Sequence, residues 1–159
     1  MKKKILFVCL GNICRSPAAE AVFIQLIKRK GLEEKYLVDS AGTGAWHVGH
    51  LADERMRNAA QQRGIIVTSL ARQIQLEDLH TFDLILTMDN ENLVLINSLA
   101  KEAGLDCPEK IKPILSYARG TKLIEVPDPY YGGEKGFTTV LDLLEDACEG
   151  LLEALILQG

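Results

Sequence analysis

Residues 5 to 17, reading Ile-Leu-Phe-Val-Cys-Leu-Gly-Asn-Ile-Cys-Arg-Ser-Pro, restrict the fold more than any other stretch. An apolar, β-prone run from Ile5 to Val8 ends at Cys9, and Arg15, Ser16 and Pro17 open a helical pattern six residues on. The spacing predicts strand, tight loop and helix N-terminus. Gly11 and Asn12 tolerate the unusual dihedrals of such a loop. Ser16 suits the N-cap and Pro17 the first helical position. A loop so curled, Leu10, Gly11, Asn12, Ile13, Cys14, Arg15 and Ser16, can aim its N–H groups inward beside the helix dipole and cradle an anion. Cys9 then lies at the floor, where the positive field favours a thiolate. Arg15 offers a bidentate fork to phosphate-like oxygens. In a chain of this composition a Cys and an Arg six apart arise by chance about 0.2 times, and roughly 0.006 times with Ser following. The alternative is an end-of-strand cysteine and a surface arginine.

At 159 residues the chain has the length of one domain, residues 1–159, with room for a real core. Its 47% hydrophobic and 25% charged content is that of an ordinary soluble globular protein, and a net charge of −4 gives no support to a nucleic-acid partner. Lys2 to Lys4 precede an apolar stretch too short for a secretory core or a membrane span, so no membrane partner is expected. Cysteines at 9, 14, 107 and 148, without a secretory segment, suggest a reducing cytoplasm. Their spacing with His47, His50 and His80 fits no zinc pattern, and no metal is expected.

Beyond the loop, Val22, Phe23, Leu26 and Ile27 recur at helical spacing, with Gly31 as the stop. Tyr36 to Asp39 reads as a second strand running into Ser40-Ala41-Gly42-Thr43-Gly44, small residues that let a second loop approach the first. Ser40 is either a plain turn serine or a brace hydrogen-bonded to Asn12. Trp46 is a core plug or an exposed aromatic wall, and His47 and His50 read as loop histidines. Asp53 caps a helix running to Arg63, with Gly64 ending it. Ile65 to Thr68 reads as a short third strand, Ala71 to Leu79 as a segment with one helical turn, and Phe82 to Thr87 as a clear, mostly apolar strand. Asp89 caps a helix carrying Leu93, Ile96, Leu99 and Ala103, and Lys110 to Leu115 reads as the last strand. In Val126-Pro127-Asp128-Pro129-Tyr130-Tyr131 two prolines hold one aspartate extended. This is either a Pro-Asp turn or an acid fixed at a site mouth between aromatic walls. A stripe from Phe137 to Leu155 forms the terminal helix, with Cys148 packed in it. The order predicts an α/β fold, an open, doubly wound, mostly parallel four-stranded sheet with helices on both faces and the site at the strands' carboxyl ends.

These residues resemble the low-molecular-weight protein tyrosine phosphatase family along nearly the whole chain. The resemblance rests on Val8-Cys9-Leu10-Gly11-Asn12-Ile13-Cys14-Arg15-Ser16-Pro17, Asp39-Ser40-Ala41-Gly42-Thr43, Met88-Asp89 with Asn92, and Asp128-Pro129-Tyr130-Tyr131-Gly132. It implies a flavodoxin-like fold and phosphotyrosine hydrolysis through a phosphocysteine, without metal or organic cofactor. Cys9 is then the nucleophile, Arg15 the phosphate ligand and Asp128 the general acid and base. Asn12, Ser16 and Ser40 support the loop, and Leu10, Ile13, Trp46, Asp89, Tyr130 and Tyr131 form the substrate pocket. The resemblance also implies reversible oxidation to a Cys9–Cys14 disulfide. The expected partners are phosphotyrosine proteins, a tyrosine kinase or its substrates among them, met by a cytoplasmic monomer. Three other readings compete with it. Thioredoxin-coupled arsenate reductases need redox cysteines near the end of the fourth predicted strand, where Thr87 to Asn92 has none. Protein-arginine phosphatases tend to carry Thr where this chain has Ile13. A phosphocysteine carrier of sugar uptake gives no reason for Arg15 together with Asp128.

Overall fold

The computed structural model describes residues 1–130 and 132–158. Its sheet has four parallel strands, β1 (Lys3–Cys9), β2 (Tyr36–Gly42), β3 (Leu84–Thr87) and β4 (Ile111–Pro113), in the order β2-β1-β3-β4. Helices α1 (Arg15–Arg29), α2 (Glu54–Gln61), α3 (Leu76–Thr81), α4 (Asn90–Glu102) and α5 (Glu134–Gln158) cover both faces. β1 shows why its sequence is apolar almost throughout. Ile5, Phe7 and Cys9 enter the layer shared with α1, α2 and α5, while Leu6 and Val8 enter the layer shared with α3 and α4. A strand flanked on both faces has no polar side. Phe7, fully buried, stacks at 6.0 Å on Phe23 of α1, and Phe7→Ala would cost about 3–5 kcal/mol.

The order of β1 and β2 against β3 makes the carboxyl end of β1 a topological switch point, the usual place for a ligand in such sheets. Cys9 ends β1 there, paired with Gly42 at the end of β2. No described helix is long and apolar enough to cross a membrane.

Two expectations are corrected. Ile65 to Thr68 forms no strand. Ile65 and Val67 are buried and Ile66 and Thr68 exposed, a strand-like alternation. The segment joins no ladder and continues to single bridges, Leu51 with Leu70 and Gly42 with Gln73. Secondly, α1 begins at Arg15 with Cys14 at its N-cap, so Ser16 and Pro17 fall at the second and third helical positions. Ser16 is therefore free of capping, and its side chain turns to Cys9. Glycines close three of the helical segments, Gly31 at φ +68° and Gly64 at +76° as expected, and Gly104 at +73° after α4.

Candidate active site

The loop between β1 and α1 is held by its neighbours rather than by its own turns. Asn12 adopts φ +57°, the left-handed region, the one non-glycine to do so among the described residues. Its amide is fully engaged. Nδ2 donates to Ser16 Oγ at 2.7 Å and to Ser40 Oγ at 3.0 Å, and Oδ1 accepts from Arg72 N at 3.0 Å. Arg72 is itself clamped by Asp39 and by both oxygens of Asp78. The second loop closes on the first through Thr43 N to Cys9 O and Gly44 N to Leu10 O, both 2.9 Å. Gly42 permits that approach, since a Cβ there would stand 2.8 Å from Leu10 O. Asp53 N donates to Ile13 O at 2.8 Å from the far side.

Cys9 is buried at the base. Ser16 N, an orphan donor of the first helical turn, points at its Sγ from 3.4 Å, and Ser16 Oγ lies at 3.0 Å. Arg15 is only 3% exposed. Its Nη1 donates to Asp89 Oδ2 at 2.7 Å and to Val126 O at 3.1 Å, and Nη2 lies 3.6 Å from Asp128 Oδ2. Burial opposes the guanidinium charge, but Cys9, Asp89 and Asp128 outweigh it and hold Arg15 above its ordinary value.

Asp128 sits on a segment tied to the sheet by Val126 N donating to Met88 O at 2.7 Å. Its own Oδ1 accepts from Tyr130 N at 3.0 Å, and the carboxylate is 40% exposed at the mouth. Arg55 fastens the segment from α2. It donates to Tyr130 O at 2.9 Å, and its guanidinium lies 5.4 Å from the Tyr130 ring and 4.8 Å from that of Phe137. Its other partner is Asp53, which touches the Cys9 loop.

A cavity of about 400 Å³ opens over Cys9, lined by Cys9, Leu10, Gly11, Ile13, Cys14, Arg15, Trp46, His47, Asp128 and Tyr130. Trp46 is an exposed wall and no core plug, being 70% exposed. Ser40 is bonded to Asn12 rather than being a plain turn serine. Asp89 does not line the cavity. It stands behind Arg15 and caps α4, accepting from Asn92 N at 2.8 Å. Tyr131 lies outside the described residues. Among those residues no His, Cys, Asp and Glu cluster could hold a metal ion.

His47, expected only as a loop histidine, also lines the cavity, its ring 6.3 Å from that of Tyr130 and 3.1 Å from where a Gly11 Cβ would be. Its neighbour Trp46 was the available signal. Asp53 was legible as a helix cap, but its bond to Ile13, the Arg55 bond to Tyr130 and the Arg72 bonds to Asn12 and Asp39 had no local signal, because those partners are distant in sequence.

The sequence matches the family model described as low molecular weight phosphotyrosine protein phosphatase over residues 4–158. It is 46% identical to the low molecular weight protein-tyrosine-phosphatase YfkJ of Bacillus subtilis, over 95% of this chain and 94% of that one. The low molecular weight phosphotyrosine protein phosphatase of Homo sapiens is 42% identical over 95% and 94%. A crystal structure of a protein tyrosine phosphatase from Entamoeba histolytica, with Hepes in its active site, superposes at a TM-score of 0.90 with 48% identity, covering 97% of each chain. With the match spanning the sheet, the Cys9 loop and the Asp128 segment alike, the chain belongs to the low molecular weight phosphotyrosine protein phosphatase family.

Proposed function

We propose that the protein hydrolyses phosphotyrosine on protein substrates by two in-line displacements at Cys9. The observation that carries this reading is the meeting of Cys9, Arg15 and Asp128 in one cavity, with the arginine and the aspartate 3.6 Å apart. In the first step the Cys9 thiolate attacks phosphorus, the bridging P–O bond breaks, and Asp128 gives its proton to the leaving phenolate. In the second, Asp128 takes a proton from water as it attacks the phosphocysteine, releasing inorganic phosphate and the thiolate. The N–H groups of the loop and the Arg15 fork hold the equatorial oxygens throughout. A dianion entering the cavity would draw Arg15 Nη2 away from Asp128 and free that carboxyl for proton transfer. Ser16 donates to the departing sulfur.

Leu10, Ile13, Trp46, His47 and Tyr130 form an aromatic and apolar slot that suits an aryl phosphate, with phosphoserine too short to reach Cys9 from its rim. Ile13, bulky and apolar, favours the aryl ring over a guanidinium. Cys14, a free thiol in the same loop, would act as the resolving thiol. After peroxide converts Cys9 to a sulfenic acid, the Cys14 thiol attacks that sulfur, water leaves, and a disulfide forms.

The test is hydrolysis of p-nitrophenyl phosphate in EDTA, comparing the wild type with Cys9→Ser. Activity that survives EDTA and disappears in the variant supports cysteine-based hydrolysis. Turnover retained by Cys9→Ser would refute it.

A further inference from the structure

Glu20 has no part in the chemistry above, yet its carboxylate is built into the supports of the Cys9 loop. It lies one turn beyond Ser16 on α1, so the two share a face. Ser40 Oγ donates to Glu20 Oε1 at 2.5 Å, the length of a charge-assisted hydroxyl–carboxylate bond. Ser69 also faces the carboxylate and favours its charged form. The remaining charged groups facing the carboxylate are Asp39, on the strand that carries Ser40, and Arg72, beyond the loop.

The hydrogens in this network can be placed by counting. Asn12 Nδ2 has two, one directed to Ser16 Oγ and the other to Ser40 Oγ. Both hydroxyls therefore receive a bond from Asn12 and must send their own hydrogen elsewhere. For Ser40 that acceptor is Glu20. For Ser16 the near one is Cys9 Sγ at 3.0 Å, with Ala41 O at 3.4 Å. If Glu20 could not accept, the Ser40 hydroxyl would lose its outlet and could turn its hydrogen against the Asn12 amide. The bond that holds Asn12 at its positive φ would weaken.

We infer that Glu20 is a positioning residue for the reaction, an acceptor that fixes the direction of the Ser40–Asn12–Ser16 hydrogen bonds so that Ser16 donates to Cys9. The role requires reach and accepting ability, not charge. Glu20→Gln keeps a side-chain oxygen at the same distance. Glu20→Asp keeps the charge but withdraws the carboxylate by one methylene.

The inference rests on cysteine-based hydrolysis as proposed above, so Cys9→Ser accompanies the series. Steady-state kinetics with p-nitrophenyl phosphate should give Glu20→Gln a kcat close to wild type. Glu20→Asp should lose roughly tenfold in kcat with KM changed by less than about twofold, because the bond to the departing sulfur matters most in the transition state. In a Ser40→Ala background the Glu20→Asp substitution should have no further effect on kcat. A merely structural carboxylate would move thermal stability in both backgrounds and leave kcat alone. An inactive Cys9→Ser together with wild-type kcat in Glu20→Asp, or a Glu20→Gln as impaired as Glu20→Asp, would overturn the role of Glu20 alone. An active Cys9→Ser would overturn the underlying mechanism.

Discussion

Asp89 grips Arg15 at 2.7 Å with one carboxylate oxygen and caps α4 through Asn92 N at 2.8 Å with the other. One side chain thus fixes both the Arg15 guanidinium and the helix that follows β3. The arginine is almost fully buried, and removing its partner leaves a charge short of a hydrogen bond, which is far more costly than losing an exposed pair. Asp89→Asn retains an oxygen for the cap but weakens the grip on Arg15. It should lower kcat/KM for p-nitrophenyl phosphate by about ten- to a hundredfold and lower Tm by a few degrees, the cost of a buried charge left short of its partner. Asp89→Ala should lose as much activity and also about 1 kcal/mol of capping, a few degrees in Tm by calorimetry.

Arg55 joins the two halves of the site, since its partners Asp53 and Tyr130 hold the Cys9 loop and the Asp128 segment respectively. Its planar group lies over both Tyr130 and Phe137. Lysine cannot reproduce the fork together with the stacking. Arg55→Lys and Arg55→Met should therefore behave alike. Each should slow phenyl phosphate, whose poor leaving group depends on the proton proposed to come from Asp128, by about fivefold or more, while p-nitrophenyl phosphate is hydrolysed nearly as before. Equal losses on both substrates would mean that Arg55 supports the Cys9 loop and not the acid.

How much of this was legible in the sequence follows the range of the interactions involved. β1, the Cys9 loop and the caps at Asp53 and Asp89 are written in short stretches, and they appear where the pattern puts them. The one-residue shift at the start of α1 was not readable. Ser16 has the chemistry of a cap, and only the return of the loop over Cys9 gives it a different partner. Ile65 to Thr68 has strand propensity and alternation, but pairing depends on a neighbour that the sequence cannot supply. Asp89 was expected in the pocket from the family resemblance, and its place behind Arg15 depends on which way that arginine extends. Arg55, Arg72 and Glu20 drew no expectation, since the partners that tie them to the site, Tyr130, Asp39 and Ser40, lie 20 to 75 residues away.

Gly42 is required by backbone proximity and not by its own dihedrals. A Cβ would meet Leu10 O at 2.8 Å and Asn12 N at 3.1 Å, and main-chain atoms cannot swing aside as a side-chain tip can. Gly42→Ala should displace the loop by a few tenths of an ångström or more. Because displaced N–H groups bind an oxyanion poorly, affinity for vanadate, measured by inhibition, should fall by about tenfold or more while the far-ultraviolet circular dichroism is unchanged. Unaltered vanadate inhibition would show that the two loops have slack.

Cys14 is 4% exposed, and burial together with Asp53, Cys9 and Asp128 pushes its thiol well above the usual range. A thiol held protonated is a poor first target for peroxide, so oxidation should begin at Cys9, with Cys14 entering only afterwards. Wild type inactivated by peroxide should recover most of its activity in dithiothreitol. Cys14→Ala should recover much less, as Cys9 passes on to the sulfinic acid. Equal recovery would remove the resolving role.

Burial raises the Glu20 carboxyl above its ordinary value, opposed by Ser40, Ser69 and Arg72 and reinforced by Asp39. A carboxyl that keeps its proton more tightly when folded makes its best contribution to stability below the unfolded value of about 4.3, and that contribution is lost as pH rises through the raised folded value. Glu20→Gln carries no such titration and still accepts from Ser40. Its stability relative to wild type should therefore increase with pH from about 4.3 upward and level off once Glu20 is ionised in the fold. Urea unfolding at pH 4.5 and pH 8 checks the sign: the midpoint of Glu20→Gln should exceed that of wild type by more at pH 8. A gap that shrinks towards pH 8 would mean that the ionised carboxylate gains more from Arg72 and the serines than burial takes from it.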